Sequence, residues 1–170
     1  GTIIIEEKGK EAVSRRPDGW QTTGDSNLRT KVNSDGSGVT KNELGLIIES
    51  KGADRADAAS GDTWKFDYDD QGQLAKVKEP DGSTWLRSEV DGNGDNWVKE
   101  GSEPEESFRG KFVVGENGDV GRDWQVDGRD FRTVYKADGS KLEVADGKVR
   151  EIVNADGRSF AFKLSPDNKI

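Results

Sequence analysis

Most of this chain consists of short runs in which apolar and polar residues alternate, divided by polar corners rich in Asp and Gly. Trp64, Phe66 and Tyr68 fall on one side of an extended segment, with Lys65 and Asp67 on the other. That period of two predicts a half-buried strand. Asp69 to Gly72 then reads as a turn and Leu74 to Val77 as the returning strand. The return breaks strict alternation, which predicts a bulge or burial on both faces. Pro80 to Ser83 turns the chain again and Trp85 opens the next strand. The C-terminal third repeats the scheme through Phe131, Thr133 and Tyr135, then Leu142 and Val144, then Val149 to Val153, then Phe160, Phe162 and Leu164. Asn42 to Ser50 has helical spacing at Leu44, Ile47 and Ile48, but Gly45 weakens a helix and the Ile pair favours a sheet, so a strand is expected.

The corners have their own pattern. Asp-Gly pairs begin at Asp18, Asp35, Asp81, Asp91, Asp127, Asp138, Asp146 and Asp156. Chance at this composition gives roughly two or three. Pro, Ser or Ala precedes the Asp at positions 18, 35, 81, 138, 146 and 156. That order predicts a type I turn closed by a left-handed Gly. The pairs after Val90 and Val126 fit a tight two-residue hairpin equally well. Trp20, Trp64, Trp85, Phe108, Phe131 and Phe160 each follow a turn region, several at intervals near 20 residues, an imperfect repeat of about one hairpin per unit. One such unit cannot bury its aromatic face alone, whereas stacked neighbours can. The expected fold is therefore all-β: an antiparallel meander of reiterated hairpins forming an elongated, thin-cored sheet or solenoid-like array. Lys51 to Gly61 reads as a long polar loop, and Gly101 to Ser107 as a second, Glu-rich one. The first divides residues 1–61, an N-terminal hairpin region, from residues 62–170, the hairpin array, with one continuous domain 1–170 as the alternative.

Composition narrows the classes. The 170 residues are 30% hydrophobic and 35% charged, too few apolar groups for a thick two-layer core. The five Trp, six Phe and two Tyr, spread beside the turns, argue against disorder. A net charge of −8 repels phosphate, so neither nucleic acid nor an anionic membrane is an expected partner. No apolar run reaches membrane-spanning length, and no membrane insertion is expected. The sequence contains no Met, which leads to the expectation that it is a piece of a longer protein whose other domains are its partners.

The absence of His and Cys removes the commonest general base, the nucleophile–His systems and nearly all structural zinc sites. A pair of carboxylates would suffice for a glycosidase, yet most acidic residues fall in turns or alternate with apolar ones, as solvated charge does. No enzyme activity is expected. No cofactor is expected either, apart from calcium at Asp91, Asn93 and Asp95, which have alternating oxygen-ligand spacing. Asn96 stands where such loops place Gly, and Ser102 where they place a bidentate Glu, so a polar hairpin turn explains the stretch as well. Trp85 and Trp97 flank this loop and are the candidate ligand-binding aromatics; the competing role is packing a thin core.

The stretch from Trp64 to Trp85 resembles the YD repeat of Rhs-type bacterial proteins, through Phe66, Tyr68, Asp69, Gly72, Leu74, Val77, Pro80, Asp81 and Gly82. It covers about one unit. Ala137 to Phe162 is similar in style but lacks the Tyr-Asp pair. The resemblance implies a hairpin array from a large bacterial protein that is extracellular or on the cell surface. The leading functional expectation is a non-catalytic structural or spacer module. The alternatives are a module binding glycan or protein, and, third, a carboxylate-based glycoside hydrolase. Exposed edge strands also leave self-association by strand addition open.

Overall fold

The computed structural model describes residues 3–5, 13–23, 27–53, 62–88, 95–103 and 105–162, and its described residues contain no helix. Sixteen strands follow in chain order: β1 Ile3–Ile5, β2 Val13–Arg15, β3 Trp20–Thr23, β4 Arg29–Val32, β5 Gly38–Lys41, β6 Ile47–Lys51, β7 Thr63–Tyr68 and β8 Leu74–Lys78. The second half comprises β9 Thr84–Ser88, β10 Asn96–Lys99, β11 Ser107–Val114, β12 Val120–Val126, β13 Arg129–Tyr135, β14 Lys141–Ala145, β15 Lys148–Val153 and β16 Ser159–Ala161. Each strand pairs antiparallel with its neighbours in sequence, giving one sheet in the order β1 to β16. The expected all-β meander is what the chain forms. The pairing of β6 with β7 carries the sheet past residue 61.

The turns explain why the chain folds this way. Eight hairpins share one pair of backbone hydrogen bonds: the residue opening the turn donates to the residue four later, and the turn Gly donates back to the opener. At Glu79 to Ser83 these bonds are 2.8 and 3.0 Å. The closing glycines of all eight have φ between 77° and 91°, the left-handed geometry that only Gly enters without strain. The Asp before the Gly often locks the corner further. Asp81 Oδ1 accepts from Ser83 N at 2.8 Å, and Asp138 Oδ1 accepts from Ser140 N at 2.8 Å.

Two hairpins differ. Asp127-Gly128 and Asp146-Gly147 have positive φ at both residues, and Val126 pairs directly with Arg129 and Ala145 with Lys148. They are two-residue type I′ turns. For Asp146 this corrects the expectation of a type I turn drawn from the preceding Ala, because strand register sets the loop length and the residue before Asp does not. Asn42–Leu46 is a turn of the common kind without Asp-Gly, so the strand expected over residues 42–50 begins at Ile47.

Among the described residues, three strands carry a bulge. The extra residues are Ile48 in β6, Ala75 in β8 and Arg150 in β15, each three positions after a turn glycine. The one in β8 is the irregularity that broken alternation predicted.

One face of the sheet holds the core. Phe66, Val77 and Trp85 lie directly opposite one another across β7, β8 and β9 and are 1%, 0% and 4% exposed. The sheet curls, so this face meets itself. The rings of Trp64 and Tyr135 are 4.9 Å apart, those of Trp85 and Phe108 5.2 Å, and Trp97 packs edge-on to Phe112 at 4.9 Å. Backbone and hydroxyl groups close the same seam: Ala53 N donates to Ala137 O at 2.8 Å and Ser50 Oγ to Gly118 O at 2.6 Å. A single aromatic layer is thereby covered from both sides, which is how a chain this poor in apolar residues hides its rings.

Candidate functional site

The Tyr-Asp pair that closes β7 does structural work. Tyr68 Oη donates to Ile47 O at 2.8 Å, tying β7 to the start of β6. Asp69 Oδ1 accepts from Gln73 N at 2.8 Å and Gln71 N at 2.9 Å, and Oδ2 pairs with Arg87 at 2.5 Å. The Gln73 and Gln71 amides, with Arg87, hold the Asp69 carboxyl below its ordinary range. These two side chains fix where the hairpin bends and what it bends against.

Where the curled halves meet, a cleft of about 420 Å³ is lined by Ser50, Asp62, Trp64, Glu79, Asp81 and Tyr135 among others. Glu79 opens the turn between β8 and β9 and reaches into the seam. Burial pushes its carboxyl above the ordinary range, with help from Asp81, while Arg122, the Trp85 indole and Lys99 pull the other way. Burial, then the Glu79 charge, raises the Tyr135 phenol. Glu79 Oε1, Trp85 Nε1 and Arg122 Nε are buried without a hydrogen bond of proper geometry. The Arg122 guanidinium stacks over Phe108 at 4.3 Å and Trp85 at 4.9 Å, so it works as a cation–π bracket. Beside the cleft, burial opposes ionisation of Asp119, yet Lys136, Ala137 N and Asn117 outweigh it and lower its carboxyl. The seam is a joint held by polar contacts.

The two aromatics picked from the sequence as ligand-binding are placed elsewhere. Trp85 is in the core row and Trp97, 1% exposed, is packed among Phe108 and Phe112. Neither is on an open sheet face: Phe108 of the paired strand β11 lies opposite Trp97, and Phe108 and Arg122 pack against Trp85. Of the calcium candidates, Asp91 and Asn93 lie outside the described residues. Asp95 uses its backbone carbonyl to accept from Gly110 N at 2.8 Å. Among the described residues no group of three or more acidic side chains is gathered for a metal.

Sequence reasoning passed over an aromatic pair that, among the described residues, is left half-exposed at a concave surface. Trp124 and Phe131 stack at 5.7 Å with 16° between their planes, beside Arg129 and Arg150. A signal for them existed. Each lies three residues outside the Asp127-Gly128 turn, so a two-residue hairpin makes them direct partners.

The fold and the seam define a class: an all-β hairpin-repeat protein whose recurring side chains serve turns and packing. Within it, residues 42–84 match the family model of the RHS repeat, about one repeat unit. The RHS repeat is a structural repeat family and not a catalytic one, and proteins that carry it are generally secreted or on the cell surface. The match runs from the Asn42 turn through β6, β7 and β8 to the Glu79–Ser83 turn, so it contains the Tyr68-Asp69 pair, two bulges and half of the seam. None of the curated proteins matches the chain.

Proposed function

We propose that this chain is a non-catalytic structural module of a bacterial surface or secreted protein, a spacer that holds neighbouring domains of its parent at a set separation. The observation that carries this reading is the recurrence of one turn, with the same two hydrogen bonds, at eight hairpins along a single curled sheet. Repetition of a local device suits a part whose task is shape. The RHS repeat match supports the same reading.

The test places the chain between two fluorescent proteins. A spacer gives a narrow distribution of transfer efficiencies that broadens only at the chain's own unfolding transition. A broad distribution under folding conditions refutes the reading. Release of reducing ends from any of a panel of polysaccharides, lost on substitution of a single carboxylate with folding intact, refutes the non-catalytic part.

A further inference from the structure

The face of the sheet turned away from the aromatic seam changes character along the chain. On β6 to β9 it carries Glu49, Lys65, Lys78 and Thr84, each directly opposite the next. On β11 to β16 the same face carries Val113, Gly121, Val134, Leu142, Ile152 and Phe160 in direct register. Beside this row Val144 pairs with Val149. Phe160 is 52% exposed and Val113 44%, and Phe162, just past β16, is exposed as well. A chain that is only 30% hydrophobic thus sets an apolar stripe across six strands on its outer surface. Such a row on a sheet face marks a surface that packs on a second layer.

The shape of the row fits a second copy of itself. It is bare at Gly121 and bulky at Ile152 and Phe160. A two-fold axis along β14 at Leu142 reverses the order of the strands. Phe160 then lies over Gly121 of the second copy, Ile152 over Val134, and Leu142 over Leu142. Large side chains meet small ones, as facing sheets require. Charge permits the approach. Lys111, Asp123 and Arg132 flank the row in register, and Arg132 bonds Asp123 at 2.6 Å through two nitrogens. This flank of two cations and one anion lacks the acidic excess by which a chain of net charge −8 repels its own kind. Five strands about 4.8 Å apart and about 17 Å long offer roughly 400–500 Å² a side, near 1,000 Å² in all. That is the lower limit for a specific interface, so the association is weak and reversible.

We propose that this chain forms a two-fold dimer in which the outer faces of β12 to β16 pack on each other, with each Phe160 seated over Gly121 of the second copy. The proposal goes beyond the spacer reading, which needs no partner on this face.

The experiment is sedimentation velocity on the whole chain from about 1 μM to about 1 mM. The expected result is a shift from the 18.6 kDa chain to twice that mass and no further, because a two-fold interface closes on itself. Gly121→Val is the sharpest variant. A Cβ at Gly121 meets Val113 Cβ at 3.6 Å, an ordinary contact, so the strand accepts it, while the added methyl groups fill the space that Phe160 enters. It is expected to weaken the dimer by about tenfold or more and to leave the melting midpoint unchanged. Phe160→Lys, at an exposed position, is expected to abolish the dimer. Leu86→Lys, 39% exposed on the outer face of β9 and outside the stripe, is expected to leave it intact. The proposal is overturned by a chain that stays monomeric at the highest concentration, by growth beyond a dimer, or by a loss in Leu86→Lys equal to that in Phe160→Lys. Undiminished association of folded Gly121→Val also overturns it, since pairing edge to edge would not sense position 121. Should Gly121→Val not fold, undiminished association of Phe160→Lys overturns it in the same way.

Discussion

Gly110 offers the sharpest test of the packing, because a single methyl group has nowhere to go. A Cβ there would lie 1.8 Å from the Asp123 carbonyl oxygen and 2.9 Å from Trp124 Cα. A carbon–oxygen contact needs about 3.3 Å, so β11 and β12 would have to part by roughly 1.5 Å at this point. The strand cannot yield on its other side without loss, since Gly110 N donates to Asp95 O at 2.8 Å. Gly110→Ala therefore disrupts about two backbone hydrogen bonds, near 1 kcal/mol each. Overpacking against Trp124 adds about 1–2 kcal/mol. The sum is about 3–4 kcal/mol, or roughly 10 °C in melting temperature for a chain of this length. Gly128→Ala is the control: its Cβ meets nothing within 4 Å, and its φ of 73° carries only the left-handed penalty, about 1 kcal/mol. Urea unfolding of both variants, followed by tryptophan fluorescence, gives the two free energies. Equal losses, or a larger loss at Gly128, would refute the close approach of β11 and β12.

Three further outcomes follow from the seam and the repeat. Tyr68→Phe removes the bond to Ile47 O and should cost about 1 kcal/mol in urea unfolding; no change would mean that the hydroxyl bond is incidental. Because Glu79 is raised above its ordinary 4.5 when folded, the native state keeps a proton that the unfolded chain has released, so this group's contribution falls as pH climbs from that value through the raised one. Glu79→Gln should therefore melt higher than the parent at pH 7, with the gap closing below pH 4.5; a lower melting point at pH 7 would show that the Arg122 attraction outweighs burial. Asp119 is lowered from its ordinary 3.8, so its stabilisation is present above that value and is lost as pH falls through the folded one; Asp119→Asn should flatten this acid limb in a melting-versus-pH series, and an unchanged limb would remove Asp119 from it.

Local features were legible in the sequence, and contacts across the curl were not. The alternation of Trp64, Phe66 and Tyr68 and the bulge after Leu74 are set by neighbours a few residues away, and both are present as read. The turn from Gly115 to Asp119 has the common geometry without an Asp-Gly pair, so a search for that dipeptide missed it; the geometry needs a left-handed Gly and only tolerates Asp before it. The stacking of Trp64 on Tyr135, six strands on, depends on summed twist over many strands. No short window contains that information. Of the two roles that the sequence left to Trp85 and Trp97, ligand binding or packing a thin core, their burial fits the second.

Turn length and bulges together decide which face a repeat presents, and β15 shows the consequence. After the three-residue turns at Gly45 and Gly72, the residue two past the glycine faces the core: Ile47 opposite Lys41, and Leu74 opposite Tyr68. After the two-residue turn at Gly147 the same position, Val149, pairs with Val144 on the outer face. A one-residue difference in the loop has turned the motif over. The bulge then carries a charged extra residue inward, where in β6 and β8 the extra residues are Ile48 and Ala75. Deleting Arg150 tests what the bulge does for the fold. The remaining residues already alternate, with Lys148 and Glu151 inward and Val149 outward, so the shortened strand can pair as a straight ladder with β14. Deletion should leave the melting temperature equal or raised, since a bulge interrupts a ladder. A destabilised variant would refute this and mean that the bulge relieves strain in the curl.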